Sequence, residues 1–269
     1  MKRIFAQQLN EHTDCSLLEL YSKFKFGDKV ATHWLANILA ETLWEHYQYQ
    51  LLSEQIVVIP SPYNFLPNAA SMLTKEVVNL LNQQLWKKTD LVLETTIIHR
   101  KVNYTLDYGF MGQKEREKLI GNDNFYVNKS FIKDKTLIFI DDIFVTGAHE
   151  RRLQQLLVDE HINNNCLFAY YGEYTGTNEV FEGKLNKWCF ETTNHKEFFT
   201  AAAINNNYVI VRVVKELLSM DFFDFKEILS EMYKINPNFV EQIYNGAIGE
   251  RYHLIPKYQP NIKLLSDYF

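Results

Sequence analysis

The sequence predicts an α/β protein with a mostly parallel central sheet, helices on both faces and a helical C-terminal extension. Three observations predict it. Short solid apolar runs, such as Ile56-Val57-Val58-Ile59 and Leu137-Ile138-Phe139-Ile140, have the length and composition of strands buried on both faces. Between them lie segments with apolar residues at helical spacing, and alternation of strand and helix is the pattern of a covered parallel sheet. Beyond Tyr174 the apolar runs give way to helical periods.

The first fifty residues read as helical. Leu17, Leu18, Leu20 and Tyr21 start an apolar face that Phe26-Gly27-Asp28 interrupts, and a second helix from about Asp28 to Tyr47 carries Val30, Trp34, Leu35, Ile38, Leu39 and Leu43. Pro60-Ser61-Pro62 stops the first strand, and Pro67-Asn68 opens a helix with Leu73, Val77, Leu80 and Leu81 on one face. Short strands are expected at Leu91 to Leu93, Thr96 to His99 and Phe125 to Val127, with a helical stretch near Gln113 to Leu119. After Leu137 to Ile140 come Asp141-Asp142, a turn with Thr146-Gly147, and a helix carrying Leu153, Leu156, Leu157 and Ile162. Cys166 to Tyr171 reads as one further strand.

In the C-terminal part, Val209 to Leu218 reads as a buried helix, with strand as the alternative because of its β-branched density. Helices from about Phe222 to Tyr233 and from Asn238 to Tyr244 follow, the latter stopped by Asn245-Gly246. Phe222, Phe223, Phe225, Ile228 and Leu229 are expected to pack on the sheet. The chain thus divides into N-terminal helices packed on the core (residues 1–50), an α/β core (51–174) and a mainly helical extension (175–269).

Composition limits the function classes. With 269 residues, 46% apolar and 23% charged, the chain is neither disordered nor low-complexity. A net charge of −5 gives no whole-surface attraction to nucleic acid or anionic lipid. Cys15, Cys166 and Cys189 are far apart and form neither a zinc ribbon nor a disulfide framework, which suits a reducing cytoplasm. After Met1-Lys2-Arg3 the chain soon reaches Gln7, Gln8, Asn10, Glu11 and His12, and the longest uncharged run, Gln55 to Thr74, is broken by three prolines. The expectation is a cytoplasmic protein that does not enter the membrane.

The segment Leu137 to His149 carries the chemistry. Two carboxylates emerge at the C-terminal end of a strand, where open α/β sheets bind ligands, and both are expected to be partly exposed there. Thr146-Gly147 then starts a helix, whose first N–H groups carry partial positive charge and form an anion site. Carboxylates for hydroxyls beside N–H groups for a phosphate describe a reader of ribose 5-phosphate. His33, His46, His161, His195 and His253 show no metal-ligand spacing. Tyr170, Tyr171 and Tyr174 suit either a nucleobase stack or the core.

Ile138 to Ala148 resembles the phosphoribosyl pyrophosphate (PRPP) motif of type I phosphoribosyltransferases, and its surroundings look most like the ComF-like branch. Ser22-Lys23-Phe24-Lys25-Phe26-Gly27-Asp28, Ile59-Pro60-Ser61-Pro62 with Asn68, and Arg100 to Thr105 with Glu115-Arg116 are similar to further segments of that branch. The resemblance covers roughly Leu18 to Tyr174. It implies that Asp141 and Asp142 hold the ribose hydroxyls, directly or through Mg²⁺. Val145, Thr146, Gly147, Ala148 and His149 would cradle the 5-phosphate, and Ser61, Pro62 and Tyr63 would border the pyrophosphate. Arg100 and Lys101 would neutralise the leaving group.

The implied reaction transfers ribose 5-phosphate to a nucleobase-like nitrogen acceptor and releases pyrophosphate. The alternatives are a non-catalytic PRPP sensor and a competence-type partner protein. Homodimers are within the implied range. The sequence departs from the family pattern at His149, where a small hydroxyl residue is usual, and at Val145, where some purine-specific members have an acid. It also lacks the zinc-ribbon cysteines that often precede ComF-like domains, which loosens any link to DNA uptake.

Overall fold

Lys2–Leu9 form a strand, β1, which corrects the helical reading of the first residues. Its side chains alternate: Phe5 stacks on Tyr170 at 5.5 Å, while Ile4 and Ala6 pack into the opposite core. The structure, a computed structural model, describes residues 2–100, 125–177 and 181–269. Helices α1 (Cys15–Lys25) and α2 (Lys29–Ser53) follow, and the Asp14 and Asp28 carboxylates cap them by accepting from Ser16 N and Ala31 N. Between them Gly27 takes φ +79°, and a Cβ there would meet the Tyr208 carbonyl oxygen at 2.2 Å, so no larger residue fits.

Strand β2 (Ile56–Pro60) is buried throughout, and Asn68 caps α3 (Ala69–Leu85). Strands β3 (Glu94–Thr95) and β4 (His99–Arg100) are shorter than expected and lie further along the chain. The reason is local: Leu93 N donates to Asn82 Oδ1 at 2.8 Å and Leu93 O accepts from Asn82 Nδ2, so α3 satisfies that backbone instead of a ladder. Strand β5 (Phe125–Tyr126) pairs antiparallel with β4, and a single turn, α4 (Lys129–Ile132), leads to β6 (Thr136–Phe144). Helix α5 (Ala148–Asp159) and strand β7 (Cys166–Tyr174) complete the sheet region. Ile162 lies beyond the end of α5. The helical stretch expected near Gln113 to Leu119 lies outside the described residues.

The main sheet has the order β1-β7-β6-β2-β3, with every neighbouring pair parallel. Val58, Ile138, Ile140 and Ala169 face the cluster that contains α1 to α3. Val57, Ile59, Leu137 and Phe139 face Leu153, Leu156 and Leu157 of α5. Both faces are covered, which is why the central strands read as unbroken apolar runs.

The extension is helical: α6 (Phe181–Lys187), α7 (Cys189–Thr192), α8 (His195–Ile204), α9 (Val211–Leu218), α10 (Phe222–Ile235), α11 (Pro237–Gly249) and α12 (Gln259–Ser266). Helix wins over strand at 211–218 because Val213, Val214, Leu217 and Leu218 form one buried stripe. Helix α11 runs through Asn245-Gly246 rather than stopping there. Gly246 serves close packing, since a Cβ would meet Leu66 Cδ2 at 2.7 Å. Phe225, Ile228 and Leu229 are buried, whereas Phe222 and Phe223, in the first turn of α10, remain exposed. Among the described residues, no helix is long and apolar enough to cross a membrane.

One cluster of buried side chains runs from Leu9 to Leu265, so the extension shares the core of the sheet. A chain truncated after Tyr174 should therefore aggregate or melt well below the full chain. Size-exclusion chromatography and thermal melting check this, and a monomer melting like the full chain would show an independent module.

Glu216 ties three of these helices together, accepting from Lys187 Nζ at 2.9 Å and facing His195 Nε2 at 3.3 Å. Burial pushes its carboxyl up, but His195 and Lys187 outweigh burial and hold it below the ordinary glutamate value. A depressed carboxyl stabilises the fold above its unfolded value and loses that contribution as pH falls through the folded one. Glu216→Gln should therefore melt lower than wild type at neutral pH, with the gap closing in acid. Melts between pH 7 and about pH 3 test this, and a constant gap would refute it.

Candidate functional site

Strand β6 continues to Phe144, four residues past the expected stop at Ile140. Asp141 and Asp142 are therefore strand residues, and successive strand side chains point to opposite faces. Asp142 follows Ile138 and Ile140 toward α1, where Lys25 Nζ donates to its carboxylate. Asp141 follows Leu137 and Phe139 toward α5, where His149 Nδ1 lies 3.5 Å from its carboxylate. The two acids do not form a joint dicarboxylate.

The expectation that both are partly exposed holds for Asp141 only. Asp142 is 7% exposed, and Lys25, its partner, is 9% exposed. For Asp141, burial pushes the carboxyl up, yet the His149 ring, the Ser61 hydroxyl and the Asp142 amide together hold it below the usual value. Asp142 N donates to Asp141 Oδ1 at 2.9 Å, fixing the carboxylate against the strand. Ser61 Oγ is buried and makes no hydrogen bond of good geometry among the described residues.

The turn after β6 ends in Gly147, whose φ of +69° makes it the N-terminal residue flanking α5, with no side chain capping the helix. A Cβ at 147 would meet the Phe144 ring at 2.9 Å, so glycine is required both for the backbone and for the space. Ala148 N donates only a long hydrogen bond to Thr146 Oγ1, at 3.4 Å. Arg151 Nη1 donates to Thr146 O at 2.8 Å and steadies the turn. The first N–H groups of α5 thus open onto a cavity of about 850 Å³.

That cavity brings together nearly every residue singled out in the sequence. Ser61, Pro62 and Tyr63 line one edge, Arg100 another, and Asp141, Asp142 and Val145 to His149 the floor. Arg100 N donates to Tyr63 O at 2.9 Å, linking two of these edges. Lys101 lies outside the described residues. The far wall comes from the extension and includes Arg212 and Lys215 of α9 together with Tyr252 and Tyr258. The Tyr252 hydroxyl is buried and has no hydrogen-bond partner among the described residues.

Lys25 and Glu150 are among the polar residues at the site that were not singled out in the sequence. Lys25 had a legible signal: Leu18, Tyr21, Ser22 and Lys25 are spaced as one helix face and all are buried, so a lysine sits on a core stripe. Glu150 had none. It is 2% exposed and accepts from Arg3 Nε at 2.8 Å, Tyr170 Oη at 2.9 Å and Gln154 Nε2 at 2.7 Å. It joins β1, β7 and α5 beneath the cavity. Tyr170 also stacks on Phe5, so it is held in the core, and burial with the nearby carboxylates raises its phenol far above the ordinary value.

Among the described residues, no group of three or more His, Cys, Asp or Glu is placed to hold a metal ion. The oxygen donors nearest such a role are Asp141 and the Ser61 hydroxyl. Hard oxygen donors of this kind fit Mg²⁺, which is commonly held by one or two carboxylates and substrate phosphates rather than by a protein cage.

No curated protein matches the chain. Among solved structures, it is similar to a hypoxanthine phosphoribosyltransferase from Staphylococcus aureus in its orthorhombic form. The two are 13% identical over 54% of this chain and 76% of that one, with a TM-score of 0.34. A hypoxanthine-guanine phosphoribosyltransferase from Bacillus anthracis is 15% identical over 53% of this chain and 68% of that one, with a TM-score of 0.28. The family model described as PRTase ComF-like matches residues 15–265, nearly the whole sequence including the helical extension. The chain belongs to the ComF-like phosphoribosyltransferase family.

Proposed function

We propose that the protein binds PRPP with Mg²⁺ and transfers its ribose 5-phosphate to a nucleobase-like nitrogen acceptor, releasing pyrophosphate. The observation that supports this best is the uncapped N-terminus of α5, opening onto the cavity beside the Asp141 carboxylate. Phosphate binds such a terminus through backbone N–H groups, here those following Val145 and Thr146, with the Thr146 hydroxyl as an added donor. Asp141 would accept from the ribose hydroxyls, its ionised form favoured by His149. Asp142, turned toward Lys25, would act through that pair rather than alone.

Ser61, Pro62 and Tyr63 would border the pyrophosphate, with Arg100 and Lys101 offsetting its charge as it departs. The acceptor nitrogen would donate its lone pair to C1 of the ribose while the C1–O bond breaks toward pyrophosphate, and the acceptor would then lose a proton. When bound, Mg²⁺ would neutralise part of the pyrophosphate charge. Val145 offers no carboxylate for activating the acceptor, so that contact would come from the far wall. The extension covers the cavity and would exclude water from the oxocarbenium-like transition state. A cytoplasmic setting suits the three free thiols.

A second reading, PRPP binding without turnover, is favoured by the Lys25–Asp142 ion pair, because it already engages the second motif carboxylate. Calorimetric titration with PRPP and Mg²⁺, followed by a pyrophosphate-release assay with a panel of nucleobases, separates the two. Binding with release supports transfer, binding without release supports a sensor, and no binding removes both.

Asp141→Asn should weaken PRPP binding roughly tenfold to a hundredfold, the range for hydrogen bonds to a charged group, while the protein stays folded. Unchanged affinity in that titration would remove Asp141 from the site. Lys25→Met should cost about 3–5 kcal/mol of stability, because it leaves Asp142 buried without its counter-charge. Lys25→Arg should lose much less. Urea denaturation of both variants measures this, and a loss below about 1 kcal/mol for Lys25→Met would mean the pair contributes little.

A further inference from the structure

We infer that Glu250, at the end of α11, is a positioning residue that holds the Ser61–Tyr63 edge of the cavity in register for the pyrophosphate. The inference rests on the PRPP reading above and adds to it a role for the helical extension.

The argument starts from the backbone of residues 61–68, which join β2 to α3. A loop packed against the core must find a partner for every buried N–H and C=O group. Its first part is held by the sheet and by its own helix cap. Ser61 N donates to Ile140 O at 3.1 Å, and Asn68 Nδ2 donates to Ser61 O at 3.2 Å and to Pro62 O at 3.4 Å. Its middle part has no such local partner. Phe65 N and Leu66 N both donate to Glu250 Oε1, at 2.9 and 2.6 Å, and Asn64 Nδ2 donates to Glu250 Oε2 at 3.3 Å.

Glu250 is only 3% exposed and lies 184 residues along the chain from Leu66. One carboxylate thus satisfies three donors of the loop. The surrounding contacts are equally close. A Cβ at Gly246 would meet Leu66 Cδ2 at 2.7 Å, and one at Gly249 would meet Phe65 Cδ1 at 2.2 Å. Val211 N, at the start of α9, donates to Pro67 O at 3.0 Å. The extension therefore holds residues 64–67 by backbone, side chain and close packing together. Pro62 restricts the chain between this anchor and Ser61, so a shift at 64–66 carries to the edge where the Ser61 hydroxyl lines the cavity.

The test uses the full chain and two variants. Glu250→Gln keeps an acceptor oxygen for Phe65 N and Leu66 N, whereas Glu250→Ala removes it. Hydrogen exchange of residues 62–67 is followed by mass spectrometry, and PRPP affinity with Mg²⁺ by calorimetry. Glu250→Ala should exchange faster in that segment and bind PRPP about tenfold more weakly or worse, while Glu250→Gln stays within about threefold of wild type.

Faster exchange in Glu250→Ala with wild-type PRPP affinity would reduce Glu250 to a structural residue and overturn the inference, as would unchanged exchange. If the wild type itself binds no PRPP, the PRPP reading fails, and the exchange result alone decides whether Glu250 ties the loop. Should Glu250→Ala not fold, Gly246→Ala takes its place, because it displaces Leu66 directly and should weaken PRPP binding in the same way. Wild-type affinity in a folded Gly246→Ala would overturn the inference.

Discussion

A strand buried on both faces sends successive side chains into two different cores, and β6 carries that alternation through its acidic pair. Because Ile138 and Ile140 face α1 to α3 while Leu137 and Phe139 face α5, Asp141 and Asp142 diverge by necessity. Each then meets a basic side chain on its own side. Lys25 meets Asp142 from the last turn of α1, and His149 meets Asp141 from the first turn of α5. The helices that cover the sheet are thereby also the elements that supply the basic partners of its two carboxylates.

This arrangement gives the two carboxylates unequal freedom. An ion pair at the edge of the core is retained only if its partner stays, since a lone buried carboxylate is far costlier than a paired one. Asp142 is therefore committed to the fold. Asp141, with a histidine at 3.5 Å and partial exposure, has no such commitment. The residue at 149 fits the same logic: in place of a hydroxyl that would serve a phosphate, the ring leans toward the acid and favours its ionised form.

What could be read from the sequence follows from how locally each feature is determined. Strands β2, β6 and β7 are legible because burial on both faces leaves an apolar run, and α3 is legible because Asn68 caps an apolar period. Strand β1 is not, because it lies at the sheet edge, carries polar Gln7 and Gln8, and finds its ladder only with residues 167–174. The extension of β6 to Phe144 was hidden because two acids in a row resemble the end of a strand. Among the site residues, the turn at Thr146-Gly147 is a local pattern, whereas Lys25 meets Asp142 across 117 positions and Glu250 meets Leu66 across 184. Partnerships of that range exist only after the chain has packed.

The same distance argument explains why the helical extension accompanies the sheet. Loop 61–68 borders the cavity, yet among the described residues its middle amides find their acceptor not on the sheet or on α3 but on Glu250. Without α11 those N–H groups would turn to water and the loop would lose its fixed course, because a buried donor needs a partner wherever the chain can provide it. The same cavity is lined by Arg212 and Lys215 of α9 and by Tyr252. The extension thus acts on the site twice, by covering the space above the sheet and by holding the loop that forms one of its edges.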